Sequence, residues 1–242
     1  MTITQSVTAT TVTPGDRYDL DLVAVDLYRD IHKGIRSELF AITTTAGNVD
    51  PSDRHGRLAL ADHVSSMGDV LVSHAHHEDN FIEPALLEHL PELAERIDTD
   101  HHVLEARYGF ITDLAMDAAD ATGTDQRRLG HLLYLELSAF TSAYLAHQVV
   151  EERVVMPALE RALGVEAMLG IHGAIVSSIP PGEMARSLAF MIPAMNLDDR
   201  TEMLTGIRMS APPEAFEGVV GLARSVLHPT DFGALAARLG GG

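Results

Sequence analysis

The stretch His74-Ala-His-His-Glu78-Asp79-Asn-Phe-Ile-Glu-Pro84-Ala-Leu86 returns 73 residues later as His147-Gln-Val-Val-Glu151-Glu152-Arg-Val-Val-Met-Pro157-Ala-Leu159. On an α-helix, positions four apart lie about 40° out of line and one turn along, so the imidazole and carboxylate of each copy reach the same point. Each copy is half of a metal site. One helix leaves most of a metal's coordination sphere unfilled, so two such helices must face each other and further helices must add ligands. That describes a metal site inside a helical bundle.

Working outward, apolar residues recur by threes and fours in four stretches, which reads as an all-α protein. The first, from Asp19, runs Val25, Tyr28, His32, Ile35, Leu39 and Ile42. Thr43 to Ser52 reads as a loop by its Gly, Asn and Pro content. The second stripe runs Leu60, Val64, Met67, Leu71, His74, Glu78, Phe81 and Ala85, placing the first pair on the core side. Pro91 breaks the run and Asp98 to Asp100 offers a cap for a third helix carrying His101, Leu104, Tyr108, Ile111 and Ala115. His102 is followed at the same offsets by Glu105, Gly109 and Thr112, a solvent-facing series, so His101 is the inward candidate. After a turn at Ala121 to Asp125, the fourth stripe runs Leu133, Leu137, Phe140, Tyr144, His147, Glu151 and Val154. The order His, His-x-x-x-Glu, His, His-x-x-x-Glu is a duplicated helical hairpin.

Three segments are expected: a disordered tail at 1–18, the metal-binding bundle at 19–163, and a helical extension at 164–242. In the extension, Pro-Pro at 180–181 and at 212–213 marks helix starts, and two or three short helices should pack on the bundle. With 242 residues the chain can bury a real core, and with no cysteine any metal is held by nitrogen and oxygen, which suits a reducing cytoplasm. A net charge of −18 without a basic patch argues against nucleic acid and anionic membrane. No apolar run approaches the length that spans a bilayer.

A lone histidine in an apolar stripe is ordinarily a hydrogen-bonded core residue. Four on four stripes, two with a glutamate at the same offset, point instead to metal. Four imidazoles and two carboxylates suit two six-coordinate metals with Glu78 and Glu151 bridging, and they exceed what one zinc needs. Ligand chemistry leaves zinc, manganese and copper open beside iron. Asp79 and Glu152 are rotated about 100° from the ligand face and fit an outer layer or solvent. Glu105 could still turn inward, and Tyr28, Tyr108 and Tyr144 share the ligand stripes. The remaining nine of the thirteen histidines, among them His63, His76 and His77, read as surface or packing residues.

The segment Asp26-Leu-Tyr-Arg-Asp-Ile-His32-Lys-Gly-Ile-Arg36, the two His-x-x-x-Glu copies and Asp100-His101 together resemble the hemerythrin-like, or HHE cation-binding, domain. The extension is similar to that of some actinobacterial members. The resemblance implies an antiparallel four-helix bundle and an oxo- or hydroxo-bridged pair of iron ions on His32, His74, Glu78, His101, His147 and Glu151. It also implies a small-molecule ligand: peroxide, dioxygen or nitric oxide. Oxygen carriers of the family place a further histidine four after the third-helix ligand, where this chain has Glu105, and their last His-to-acid spacing would select Glu152 instead of Glu151. The chain is closer to the four-histidine subgroup associated with peroxide. Catalase-like disproportionation is therefore the expected function, with a module that senses or stores dioxygen, nitric oxide or iron as the rival.

Overall fold

The computed structural model describes residues 23–240, so the expected tail, the start of the first predicted helix and the last two glycines lie outside the described residues. Every regular element among the described residues is helical. In chain order they are α1 (Arg29–Asn48), α2 (Arg54–Phe81), α3 (Glu83–His89), α4 (Pro91–Asp120) and α5 (Thr124–Val150). A π-helical turn (Glu151–Val155) follows, then α6 (Met156–Leu163), α7 (Val165–Ser178), α8 (Pro181–Ala194), α9 (Leu197–Ser210), α10 (Pro213–Val226) and α11 (Pro229–Gly240).

The long helices α1, α2, α4 and α5 form a ring in which α1 touches α2 and α5, and α4 touches the same two. Short connections between successive members make neighbours antiparallel. The apolar stripes explain the ring: Ile35, Leu39, Ile42, Val64, Ile111, Leu137 and Phe140 are all fully buried, and each contributes about 1.5–3 kcal/mol by leaving water. These residues form one apolar cluster. A second, built from Tyr28, Ile82, Leu86, Ala94, Ile97, Val155, Met156, Leu159 and Met168, closes the other end. On every long helix the ligand-type residues fall between the two clusters. His32 lies between Tyr28 and Ile35, His74 and Glu78 between Leu71 and Ile82, His101 between Ile97 and Leu104, and His147 and Glu151 between Tyr144 and Val155.

Several boundaries differ from the sequence reading. Residues 23–28 are irregular, and α1 starts after Asp26, whose carboxylate accepts the backbone N–H groups of Tyr28 (3.0 Å) and Arg29 (2.9 Å), an Asx-type turn. Thr43 to Asn48 is helix, not loop. Packing outweighs weak local propensity there: Ala46 is buried, the Thr43 and Thr141 hydroxyls meet at 3.0 Å, and Gly47 lies under the Tyr134 ring. Helix α4 begins at Pro91 and runs through Asp98 to Asp100 without a break, because Pro suits a helix's first position and Ala94 and Ile97 are buried. The segment after Gly164 forms five helices where two or three were expected, with Pro181 and Pro213 opening α8 and α10.

Helices α8 to α11 enclose a third apolar cluster centred on Leu188, Ile192, Leu204 and Leu235. It docks on α1 through α8. Phe190 lies on Gly34 so closely that a Cβ there would stand 2.6 Å from the ring. Ion pairs from Lys33 to Asp199 and from Arg29 to Glu202 (3.1 Å) border the contact. Gly34→Val should therefore cost about 1–3 kcal/mol by overpacking and make α8 to α11 more sensitive to limited proteolysis. Adding Phe190→Ala should restore part of the loss. An unchanged melting curve and cleavage pattern for Gly34→Val would show that α8 does not sit on this glycine.

Candidate metal centre

Six side chains converge in the layer between the two lower clusters: His32 from α1, His74 and Glu78 from α2, His101 from α4, His147 from α5, and Glu151 from the first residue of the π-helical turn. His32 and Glu151 are 0 % exposed and Glu78 is 4 % exposed. The two His-x-x-x-Glu copies are each followed, ten residues after the histidine, by a proline in a helix first turn. Pro84 and Pro157 lack an N–H, and their rings crowd the carbonyl four residues back. The chain responds at the same place in both copies: α2 breaks at Ile82, and α5 widens into the π-helical turn.

Each carboxylate divides its oxygens between two imidazole pairs. Glu78 Oε1 lies 3.0 Å from His74 Nε2, and its Oε2 lies 3.0 Å from His101 Nε2. Glu151 Oε1 lies 3.0 Å from His147 Nε2 and 3.7 Å from His101 Nε2, while its Oε2 lies 3.4 Å from His32 Nε2. The His32 and His74 Nε2 atoms are 3.2 Å apart. Two donor sets result, one around His32, His74 and Glu78 and one around Glu78, His101, His147 and Glu151, and within each the ligand atoms lie inside 4.8 Å of one another.

The donors fit metal ions. All four oxygens of Glu78 and Glu151 are buried without a geometrically sound hydrogen bond, a costly condition unless a cation lies among them. Two ligands about 2.1 Å from one ion and at right angles to each other are about 3.0 Å apart, which matches the nitrogen-to-oxygen spacings. Without metal, protons take the cation's place. Burial acts against charge on His101, but the adjacent Glu151 and Glu78 carboxylates outweigh it and push the imidazole up to about 11. For Glu78 burial acts upward, yet His74 and His101 outweigh it and hold the carboxyl well below the usual range. His74 is raised too, the attraction of Glu78 exceeding the effect of burial.

An outer layer backs the imidazoles. Asp79 Oδ1 lies 3.1 Å from His101 Nδ1, Asp100 Oδ2 lies 3.6 Å from His147 Nδ1, and Glu152 Oε1 lies 3.0 Å from His32 Nδ1. Arg36 holds Glu152 in a fork, at 2.7 and 2.9 Å. Burial raises the Glu152 carboxyl, but His32 and Arg36 prevail and bring it to about 2. Asp79 and Glu152 thus occupy the outer layer that their rotation implies. The parts played by Asp100 and Arg36 were missed, because each acts on a residue of another helix.

Tyr28 stacks on His32 with centroids 4.9 Å apart, and Tyr144 meets His147 edge-on at 5.8 Å. Burial and the charges of Glu78 and Glu151 raise both phenols well above the ordinary value, so each keeps its proton. Tyr108 points away and donates to the Val64 carbonyl at 2.9 Å. Two cavities flank the layer. One, of about 380 Å³ between α2, α4 and α5, reaches His101 and Tyr144, with exposed Glu105 on its lining. The other, of about 1400 Å³ beneath α7 to α10, reaches His74, Glu78 and Tyr28. None of the nine remaining histidines is buried. His102 is exposed and bonds the Asp98 carbonyl of its own helix at 2.8 Å.

A helical bundle with a buried histidine-and-glutamate layer is the build of a metal-binding protein. Residues 23–159 match the family model of the hemerythrin HHE cation binding domain, and the chain belongs to that family. A search of curated proteins and a search of solved structures each returned no match.

The protonation of the metal-free layer sets a pH dependence. A histidine raised on folding contributes fully below its unfolded value and loses that contribution as pH climbs to the folded value. A depressed carboxylate contributes fully above its unfolded value and loses it as pH falls. For His101 and Glu78 the two ranges overlap between about pH 4.5 and 6.5. Chelated protein should melt highest in that window and steadily lower toward alkaline pH. Reloaded protein should lose this alkaline decline, since metal displaces the protons. Coincident melting profiles for chelated and reloaded protein would show that these groups do not form a common internal site.

Proposed function

We propose that the chain holds two iron ions and disproportionates peroxide in the cytoplasm. His32, His74, Glu78 Oε1 and Glu151 Oε2 would hold one ion, and His101, His147, Glu78 Oε2 and Glu151 Oε1 the other. The observation that carries the reading is the division of both carboxylates between two imidazole pairs, which gives each position two nitrogens and two oxygens. Charge balance agrees with it: two ferric ions bring six positive charges, and two glutamates with an oxide remove four.

The iron pair would supply the two-electron couple by which two peroxides become dioxygen and two waters, with no external donor. The protein's own groups set the conditions. Glu78 and Glu151 spread negative charge equally over both positions. Tyr28 and Tyr144 retain O–H groups beside the layer and can donate to a small oxygen ligand. Apolar clusters close the layer above and below, leaving the two flanking cavities as its approaches. Glu105, exposed on the smaller cavity, leaves the third-helix position without a second imidazole, which favours matched reactive positions over a carrier's single open one.

Iron-replete protein should carry about two metal ions per chain, and its diferric form should evolve oxygen from added peroxide. Glu151→Ala should abolish this together with most of the metal, because one change removes an oxygen from each position. His101→Ala should lower bound metal far more than His102→Ala. A diferric protein that leaves peroxide untouched, with a diferrous form that binds dioxygen reversibly, would establish the sensing or storing module in place of the enzyme.

A further inference from the structure

We infer that the two metal positions grip unequally: the position between His101 and His147 fills first and holds its ion more tightly, while the one between His32 and His74 is the exchangeable position. This rests on the dinuclear reading above. The donor atoms that would touch metal are alike in kind, although Glu151 belongs to the compact set at His101 and His147 and meets the other set only through its 3.4 Å contact with His32; the rest of the difference comes from what stands behind the imidazoles.

On one side, Asp79 stands 3.1 Å from His101 Nδ1 and Asp100 3.6 Å from His147 Nδ1. Among the described residues neither aspartate forms an ion pair with Lys or Arg. Two negative charges therefore back that half. Asp79 holds the ring proton on His101 Nδ1, leaves the Nε2 lone pair for metal and strengthens that imidazole as a ligand, whereas Asp100 makes no hydrogen bond to His147 Nδ1 and adds only its nearby charge. On the other side, Glu152 fixes His32 in the same way, but Arg36 takes both of its oxygens and cancels the charge. No carboxylate among the described residues pairs with His74 Nδ1; its ion pair is through Nε2 to Glu78. The His32 and His74 half thus has backing of about zero net charge against about two negative charges opposite.

Access follows the same division. The larger cavity touches His74 and Glu78, whereas the smaller touches His101 alone among the six. The half with the weaker backing is the half open to the roomier cavity. Removing such an outer partner typically costs about 10–100-fold in metal affinity. Asp79 and Asp100 are 46 % and 39 % exposed in their side chains, so water screens them and the low end applies.

The test is an anaerobic titration of the metal-free, full-length chain with Co(II), followed by the visible absorption of the bound ion. Two steps totalling two equivalents are expected, the first about tenfold tighter. His74→Ala should remove the weaker step and leave the tight one. Asp79→Asn combined with Asp100→Asn should weaken the first step by about tenfold and spare the second, and an unchanged helical circular dichroism spectrum will show that the fold is kept. Arg36→Gln, which frees the Glu152 charge, should tighten the second step and narrow the gap. Two equivalents taken up in one phase, or His74→Ala removing the tight step, would overturn the inequality while leaving two positions in place. A total of one equivalent would overturn the dinuclear reading itself.

Discussion

The structure depends on two carboxylates, Glu78 and Glu151, held in an apolar frame with their oxygens shared between opposite imidazole pairs. Neither can be there uncompensated, because a buried carboxylate without a counter-charge is expensive. Metal ions or protons must complete the layer, and all four long helices must hold register to bring their donors to it. A slip of one residue on any helix swings its ligand by about 100° and exchanges it for a neighbour. Apolar clusters on both sides supply that register. Each helix carries its ligand-type residues between a residue of one cluster and a residue of the other, so the packing that stabilises the bundle also aims the donors.

The bundle was legible because its helices bury one face, and burial leaves a period of three and four in the sequence. The same logic separated His101 from His102: the series behind His101 is buried, and His102 lies in solvent, bonded within its own helix. Helix ends were less legible. Thr43 to Asn48 has loop-like composition, yet contacts with Thr141 and Tyr134 on α5 hold it helical, and those contacts connect residues about a hundred positions apart. The outer layer was hidden for the same reason. Glu152 is rotated away from the donors of its own helix, but the rotation carries it to α1, where Arg36 and His32 Nδ1 receive it. Rotation along one helix shows which way a side chain leaves, and only the neighbouring helix determines what it meets.

The repeated prolines show how a duplicated sequence settles into two local structures. Pro84 and Pro157 stand at the same offset from their histidines and disturb the same carbonyl four residues back. On α2 the disturbance ends the helix, while on α5 a π-helical turn absorbs it and the chain continues into α6. Glu151 and Glu152 are the first residues of that turn, so one faces the donor layer and the other reaches α1. In both copies the acid after the glutamate reaches an imidazole Nδ1 on a neighbouring helix, Asp79 to His101 and Glu152 to His32, but only Glu152 is also held by an arginine, Arg36. The asymmetry between the halves lies in that arginine.

Matched donors with unmatched backing reconcile two demands on such a site. A two-electron reaction without an external donor needs both metals to change oxidation state together, which favours like donor sets. Unlike backing would add an order of filling, with the first ion held at His101 and His147 by one oxygen each of Glu78 and Glu151 on the dinuclear reading proposed above. The other oxygens of Glu78 and Glu151 lie against His74 and His32. On that reading, Asp79 and Asp100 would decide which half fills first. Helices α7 to α10 roof the larger cavity at the second half, so the extension, which carries no ligand-type motif of its own, bears on the centre through access to the more weakly backed position.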